Sequence, residues 1–256
     1  MARLAVAASA PFGADVLERL ASRHDVLQVL TRKDKPRGRG RKLASTPAAE
    51  TAERLGIPVV HDLDELDAQT VVVAAYGLLI PERALERALW LNVHPSLLPR
   101  WRGAAPVERA IMAGDAQTGV TIHRTIKELD AGPIAAEEAF GIAPDDDAGT
   151  VYARAAELAA RLLDEVLPDP EFTPQPDEGV TYAEKITAAD RELDPSRPAA
   201  ELVDTVRALS PHIGARLGDL IVWRARVGDD GAFEPLEVQP AGGRRMAYDA
   251  YLRGRR

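Results

Sequence analysis

Cysteine is absent from this chain of 256 residues, and aromatic residues make up only 5% of it. Without cysteine the chain can form no disulfide, no thiolate nucleophile and no cysteine-ligated zinc or iron–sulfur site. No uninterrupted apolar run approaches the roughly 18 residues that cross a bilayer, so we expect no membrane span. The first apolar run breaks at Ser9 and Pro11, which is atypical of a signal peptide. We therefore expect a cytoplasmic protein.

Basic residues are outnumbered, with 32 against 40 acidic ones and a formal net charge of −8. We therefore do not expect a surface wholly covered by nucleic acid, and any such contact needs a local basic patch. Residues 32–42 form such a patch, because Asp34 is their single acid. Lysine and arginine displace counterions from a phosphate backbone, so we interpret the patch as a nucleic-acid contact rather than a solvated loop. Its basic members are Arg32, Lys33, Lys35, Arg37, Arg39, Arg41 and Lys42.

The glycine-rich turn of dinucleotide-binding proteins is missing as well. Such a turn reads G-x-G-x-x-G after the first strand, whereas residues 8–13 read Ala-Ser-Ala-Pro-Phe-Gly. This disfavours an NAD(P)-dependent enzyme. The histidines at positions 24, 61, 123 and 212 lack the spacing of metal ligands, and we expect ordinary surface or core residues there.

Short apolar runs alternate with helical patterns through the first two thirds of the chain. This alternation predicts an α/β fold, an open and mostly parallel Rossmann-like sheet. Predicted helices include 83–89 and 147–167, and a long apolar run at 70–75 predicts a buried parallel strand. Residues 32–42 are predicted to form an irregular loop.

A proline-rich stretch separates the last part of the chain. Four prolines between 168 and 179 predict a linker. We therefore predict a catalytic domain at 1–167, a linker at 168–180 and a small C-terminal domain at 181–256. A helix at 199–209 and strands at 213–227 and 233–238 make that domain β-rich. Residues 213–240 have room for roughly three strands.

Two short motifs contain side chains suited to catalysis. Asn92 and His94 lie two apart at the predicted end of a parallel strand, so their side chains point to one side at the edge where such sheets bind ligands. An amide and an imidazole placed together can stabilise an oxyanion and move a proton. A turn-capping asparagine and a surface histidine are the alternative. Asp130, in Glu-Leu-Asp-Ala-Gly-Pro at 128–133, belongs either to a plain turn or beside His94.

The run Asn-Val-His-Pro-Ser-Leu-Leu-Pro-Arg-Trp-Arg-Gly-Ala-Ala-Pro at 92–106 resembles the signature of the methionyl-tRNA formyltransferases. The wider folate-dependent formyltransferase family shares an asparagine, a histidine and a downstream aspartate. Further resemblances follow in order along the chain, at residues 34–43, 72–81, 113–122, 129–132, 181–186, 239–246 and 252–255. The resemblance therefore covers nearly the whole chain.

This resemblance implies formyl transfer from 10-formyltetrahydrofolate to the α-amino group of methionyl-initiator tRNA, with no metal. Asn92 and His94 would stabilise the tetrahedral oxyanion, and Asp130 would tune His94 and help to relay a proton. The basic loop would hold the acceptor stem of the tRNA, and we expect a monomer. Folate would lie against two segments, namely Ser96, Leu97, Leu98 and Pro99, and Ala75, Tyr76, Gly77, Leu78 and Leu79.

Three departures from the family pattern leave alternatives open. Ser-Ala-Pro-Phe at 9–12 replaces a Gly-Thr-Pro-like turn, and Pro95 stands where many tRNA enzymes have glycine. The C-terminal segment is short for the family's five-stranded OB-like barrel, which predicts a truncated barrel. The alternatives are an N-formyltransferase for a small amino substrate, such as a nucleotide-linked amino sugar, and an inactive paralogue that binds tRNA or folate.

Overall fold

The computed structural model describes residues 1–37 and 42–254, with residues 35–37 and 42 described by their backbone alone. The chain divides into two compact units. The first unit comprises Met1–Arg102, Gly119–Ala139 and Ala153–Thr181, and the second comprises Gly103–Thr118, Phe140–Tyr152 and Tyr182–Arg256. Within the described ranges, no helix combines the length and the apolar character that a bilayer crossing requires.

The helices and strands follow the predicted alternation. The helices are α1 (Pro11–Ala21), α2 (Pro47–Leu55), α3 (Glu82–Leu85), α4 (Pro106–Met112), α5 (Ala148–Val166), α6 (Ala199–Leu209) and α7 (Tyr248–Arg253). The strands are β1 (Arg3–Ala8), β2 (Asp25–Leu30), β3 (Lys35–Arg37), β4 (Lys42–Ala44), β5 (Val59–Val60), β6 (Thr70–Ala74), β7 (Leu89–His94), β8 (Arg102–Gly103), β9 (Gln117–Arg124), β10 (Ile134–Gly141), β11 (Tyr182–Ala183), β12 (Ala215–Leu217), β13 (Leu220–Val227), β14 (Phe233–Pro240) and β15 (Met246–Ala247).

Seven strands form the main sheet in the order β10, β9, β7, β6, β1, β2, β5. The last five of these run parallel, whereas β9 runs antiparallel to β7. Residues 4–8 of β1 are fully buried, as expected for a parallel strand covered on both faces. The predicted fold class is confirmed. Because β7, β6, β1 and β2 are parallel neighbours, the residues that follow them lie at one edge of the sheet.

Local sequence explains how the elements of this sheet begin and pack. Thr46 caps α2, since its hydroxyl accepts a hydrogen bond from the Ala49 amide at 3.1 Å. Gly56 ends the same helix in the left-handed conformation, with φ of 71°. Gly13 lets α1 approach the end of β6, because a side chain there would overlap the carbonyl oxygen of Ala74. The glycine thus serves close packing rather than a dinucleotide turn.

Three local predictions are wrong in detail. The helix predicted at 83–89 ends at Leu85, because Leu89 already pairs with Thr70 as the first residue of β7. The predicted strand 213–227 is two strands, since Gly218, with φ of 58°, turns the chain between β12 and β13. The predicted irregular loop at 32–42 contains β3 and the first residue of β4, and these strands pair antiparallel from Lys35 with Ala44 to Arg37 with Lys42.

The second unit contains the small C-terminal sheet. It has four strands in the order β12, β13, β14, β15, with antiparallel pairing between neighbours. Its core combines one face of α6 with apolar side chains from the sheet, including Val206, Leu209, Val222 and Val238. The three strands predicted between 213 and 240 are therefore present, and β15 adds a short fourth.

Candidate active site

Strand β7 brings Asn92 and His94 to the carboxyl edge of the sheet. Residues two apart on a strand share a face, so the two side chains lie on the same side. In the register between β7 and β9, Asn92 pairs with His123, which adds a third polar side chain to that face. His94 is 4% exposed and His123 only 1%.

Asp130 provides the carboxylate of this cluster. It adopts φ of 46°, a left-handed conformation that is unfavourable for a residue other than glycine. Its Oδ1 accepts a hydrogen bond from Asn92 Nδ2 at 3.1 Å. Its Oδ2 lies 3.7 Å from His94 Nδ1, and Oδ1 lies 3.6 Å from His123 Nε2. The structure thus brings together Asn92, His94 and Asp130, which the sequence placed up to 38 residues apart.

The hydrogen bonds of His94 assign its tautomer. Its Nε2 lies 2.8 Å from the carbonyl oxygen of Trp101, which can only accept, so Nε2 carries the proton. In the neutral ring, Nδ1 therefore presents its lone pair towards Asp130. Burial lowers the pKa of His94 below its ordinary 6.5, and the Asp130 carboxylate only partly offsets this effect. The ring is neutral at pH 7 and can accept a proton at Nδ1 beside a carboxylate.

His123 is the residue that sequence reasoning missed. Its Nδ1 lies 3.1 Å from the carbonyl oxygen of Arg124 and therefore donates to it. Its buried Nε2 faces Asp130 and has no hydrogen-bond partner among the described residues. The prediction of an ordinary surface or core histidine was incomplete: the residue is buried, but it faces the acid. The alternation of side chains along β9 was the available signal, but the pairing of β9 with β7 cannot be derived from the sequence.

The loop after β7 is built around His94. Ser96 donates from its hydroxyl to the Arg100 carbonyl oxygen at 2.7 Å. Thr121 accepts from the Leu98 amide at 3.1 Å and donates to the Ser96 carbonyl oxygen at 2.7 Å. Ser96 and Leu98 are consequently buried, while Leu97 and Pro99 are half-buried. All four residues were predicted to border folate. Leu97 and Pro99 expose more surface for such a contact than Ser96 and Leu98 do.

The segment after β6 differs from this loop in being largely exposed. Ala75, with φ of 47°, accepts hydrogen bonds from the amides of Ser9 and Ala10, both at 3.3 Å. Tyr76 belongs to a hydrophobic core cluster, whereas Gly77 is exposed. Leu78 and Leu79 are 51% and 88% exposed. An exposed backbone followed by apolar side chains is a surface on which a flat heterocycle can lie.

Backbone strain is concentrated in the segments predicted to form the site. Within the described part of the chain, the non-glycine residues with positive φ are Ala75, Trp101 and Asp130. Each such residue costs about 1–3 kcal/mol, so the surrounding structure must hold it in place. Strained residues of this kind cluster at active sites. Their distribution here supports a single site at the carboxyl edge.

The predicted basic patch is only partly described. Arg32 is half-buried, with its guanidinium beside Gly77, and Lys33 is exposed. The backbone of Lys35, Arg37 and Lys42 belongs to the β3–β4 hairpin. Arg39 and Arg41 lie outside the described residues. The hairpin therefore begins three residues after Arg32, whose side chain lies against the segment that follows β6.

Comparison with known proteins identifies the family. A family model described as a formyl transferase matches residues 2–167, which include the whole Asn92, His94 and Asp130 cluster. The chain belongs to the formyltransferase family. The methionyl-tRNA formyltransferase of Methylobacterium nodulans is 40% identical to this formyltransferase, over 93% of this chain and 91% of that protein.

Solved structures share the fold of this formyltransferase. An N-formyltransferase from Helicobacter canadensis, in complex with folinic acid and dTDP-3-aminofucose, matches with a TM-score of 0.70 and 17% identity, over 90% of this chain and 89% of that one. The methionyl-tRNA formyltransferase from Clostridium thermocellum matches with a TM-score of 0.68 and 16% identity, over 94% of this chain and 99% of that one. At such identities the likeness concerns the fold alone.

The site of this formyltransferase combines an amide donor, a neutral imidazole and a carboxylate. An amide hydrogen can stabilise an oxyanion, and an imidazole beside a carboxylate can accept a proton and hold it as an imidazolium. Within residues 1–37 and 42–254, no group of three or more histidine or acidic side chains is arranged to hold a metal ion.

Proposed function

We propose that this formyltransferase transfers the formyl group of 10-formyltetrahydrofolate to the α-amino group of methionyl-initiator tRNA. The observation that carries the proposal is the cluster of Asn92, Asp130 and the buried His94, in a chain that matches 91% of the length of a methionyl-tRNA formyltransferase at 40% identity. Folate and tRNA are substrates in this reaction.

In the proposed mechanism, the amine nitrogen attacks the formyl carbon and the carbonyl oxygen becomes an oxyanion. Asn92 has two amide hydrogens; one donates to Asp130, and the other would donate to the oxyanion. His94 Nδ1 accepts the proton that the amine loses, and Asp130 stabilises the imidazolium. The bond between the formyl carbon and folate N10 then breaks, and N10 takes the proton. The oxyanion collapses to the new amide.

The exposed segment at 75–79 supports the proposed folate contact. Its backbone lies at the same edge of the sheet as His94, because β6 and β7 are parallel neighbours. Leu78 and Leu79 offer apolar surface for a pterin ring. Leu97 and Pro99 would border the folate from the β7 side, and the buried Ser96 and Leu98 would shape the loop that holds them.

The β3–β4 hairpin supports the proposed tRNA contact. A hairpin whose sequence is rich in lysine and arginine, in a protein of net charge −8, is suited to a phosphate backbone. Arg32, Lys33, Lys35, Arg37, Arg39, Arg41 and Lys42 would contact the acceptor stem. Replacing Lys33 and Lys35 by alanine should weaken tRNA binding, and the slope of log Kd against log salt should fall by about two. An unchanged slope would exclude the contact.

The proposal includes a division of the chain and a location. We assign the catalytic domain to 1–167, the connecting segment to 168–180 and the small domain to 181–256. The family model, which ends at residue 167, supports the first boundary. We also propose a cytoplasmic monomer, because translation initiation takes place in the cytoplasm and every proposed catalytic group belongs to one chain.

The decisive experiment is a formylation assay read by mass spectrometry. Purified chain is incubated with 10-formyltetrahydrofolate and methionyl-initiator tRNA, and a nucleotide-linked amino sugar is supplied in a parallel reaction. We expect formyl-methionine over many turnovers. Formylated sugar in place of formyl-methionine would assign the chain to the small-molecule branch, which the resemblance in fold to the Helicobacter canadensis enzyme makes the second candidate. Folate binding with neither product would indicate the inactive paralogue.

A further inference from the structure

The proline-rich segment after α5 forms hydrogen bonds with two parts of the candidate active site, the turn that contains Asp130 and the loop after β7. We call residues 173–181 the strap. At its start, Thr173 exchanges two backbone hydrogen bonds with Ile134, at 2.8 and 2.9 Å. At its end, Thr181 accepts from the Arg102 amide at 2.9 Å. A segment whose composition is typical of a spacer thus has fixed contacts at both ends.

Gln175 makes the central contact of the strap. Its Nε2 donates to the carbonyl oxygens of Asp130 and Gly132, both at 2.8 Å. Its Oε1 accepts from Arg102 Nε and Nη2 at 3.1 and 2.6 Å. Two donor hydrogens and two acceptor positions are all that a glutamine amide has. A flipped amide would set NH₂ against the guanidinium and oxygen against two carbonyls, so this orientation is the stable one.

The turn that Gln175 holds needs external support. Asp130 is in the left-handed conformation, and Gly132 has no room for a side chain, which would overlap the Arg124 carbonyl oxygen. Gln175 fixes the carbonyl groups on both sides of Ala131. The position of the Asp130 carboxylate relative to His94 and His123 depends on the backbone of this turn.

Thr181, at the far end of the strap, supports Trp101, the hydrogen-bond partner of His94. Thr181 Oγ1 accepts a hydrogen bond from the Trp101 amide at 2.9 Å. Trp101 is also left-handed, and its carbonyl oxygen accepts the hydrogen bond from His94 Nε2. Arg102 joins the two ends, because its guanidinium bonds to Gln175 and its amide to Thr181.

We propose that the strap is a positioning element, in which Gln175 holds the turn that carries Asp130, and Thr181 holds Trp101, in their positions beside His94. Gln175 acts through Asp130 and is a positioning residue, not a catalytic one. The inference rests on the proposed function only for the chemical role of the positioned groups.

The test compares Gln175→Glu with Glu178→Gln in the full chain. Glutamate keeps the shape and can still accept from Arg102, but it cannot donate to the carbonyls of Asp130 and Gly132. Glu178 is an exposed residue of the strap and serves as the matched control. The first readout is the titration of His94 by NMR in the absence of substrates, with His94→Gln to assign the signal.

We expect the pKa of His94 to fall in Gln175→Glu, because the carboxylate that raises it moves away from Nδ1. Asp130 and His123 face His94, and the carboxylate that the substitution adds at position 175 is paired with the Arg102 guanidinium. We expect kcat to fall by about 10–100-fold with little change in KM for folate, as for a misplacement of about 1 Å. Glu178→Gln should change neither. An unchanged His94 titration in folded Gln175→Glu would overturn the proposal.

Thr181 provides a second test if Gln175→Glu does not fold. Thr181→Val removes the acceptor for the Trp101 amide, and Thr181→Ser retains it. We expect the valine variant to alter the His94 titration and the serine variant to restore it; equal spectra for the two would contradict the proposal. Because the titration needs no substrate, it tests the strap even if wild-type protein formylates no tRNA. That result would contradict only the proposed function.

Discussion

Each of the two units contains partly buried polar groups, which we call its polar cluster, and the two clusters differ in the lengths of their internal contacts. In the second unit, Tyr152 donates to Glu108 at 2.8 Å, and Arg109 binds Asp190 through two bonds of 2.8 and 3.1 Å. In the first unit, the imidazole nitrogens of His94 and His123 lie 3.7 and 3.6 Å from Asp130, beyond hydrogen-bond reach.

This difference distinguishes groups that stabilise the fold from groups that can take part in proton transfer. The Arg109 guanidinium holds the pKa of Asp190 well below its ordinary value, and burial raises the pKa of both Glu108 and Tyr152. Pairs within hydrogen-bond distance satisfy the donors and acceptors of both side chains and stabilise the fold. The open geometry around Asp130 lets a proton be gained or lost at His94. We therefore expect substitutions in the first cluster to change rates and those in the second to change stability.

The largest expected effect is on catalysis in the first cluster. Asn92→Ala or His94→Ala should lower kcat by about 10²–10³-fold, the usual loss when an oxyanion donor or a proton-transfer group is removed. Formylation kinetics with the purified variants measure this loss. His212, an exposed histidine, provides the control His212→Ala, which should keep the wild-type rate. Near-normal kcat in both site variants would exclude the proposed mechanism.

The next effect concerns stability in the second cluster. Arg109→Ala leaves the Asp190 carboxylate without its guanidinium partner and should lower the free energy of unfolding by about 1–3 kcal/mol. Urea denaturation measures this change, and kcat of the folded variant should remain that of wild type. Arg253→Ala, at an exposed position, is the control. A large loss of kcat in folded Arg109→Ala would remove the distinction between the clusters.

A smaller effect is expected for the residue that faces Asp130 from β9. His123 is among the influences that lower the pKa of His94, so His123→Leu should raise that pKa, opposite to Gln175→Glu. The rate should fall by about tenfold, a loss of about 1.4 kcal/mol in transition-state stabilisation. NMR titration of His94 and measurement of kcat on the same sample test both expected changes. A shift of the His94 pKa downwards would contradict this role for His123.

The smallest effect is a pH dependence of stability. The pKa of His94 is below its ordinary 6.5 in the folded state, so the folded protein binds fewer protons there than the unfolded chain. The resulting stability is present above pH 6.5 and is lost as pH falls through the folded pKa. Urea midpoints between pH 7.5 and about 4.5 should decrease less steeply in His94→Asn than in wild type. Parallel curves for the two proteins would show that His94 does not titrate in this way.

Local patterns were sufficient to predict much of the fold and to select two of the proposed catalytic residues. Continuous apolar character predicted β6, and helical spacing predicted α5 and α6. Asn92 and His94 share a face because a strand has a period of two. Asp130 was a candidate only through its turn composition and the family resemblance. These predictions depend on residues that are neighbours in the chain.

The sequence by itself determined the alternation of elements, the faces of the strands and the residue types available at the sheet edge. Tertiary structure alone decided that His123 faces Asp130, because this depends on the register of β7 against β9. It also decided the tautomer of His94 through the carbonyl of Trp101, and the contact of Gln175 with a turn 45 residues earlier. Hydrogen bonds between residues so far apart in the chain produce no periodic pattern in the sequence, because each depends on how separate segments pack against one another.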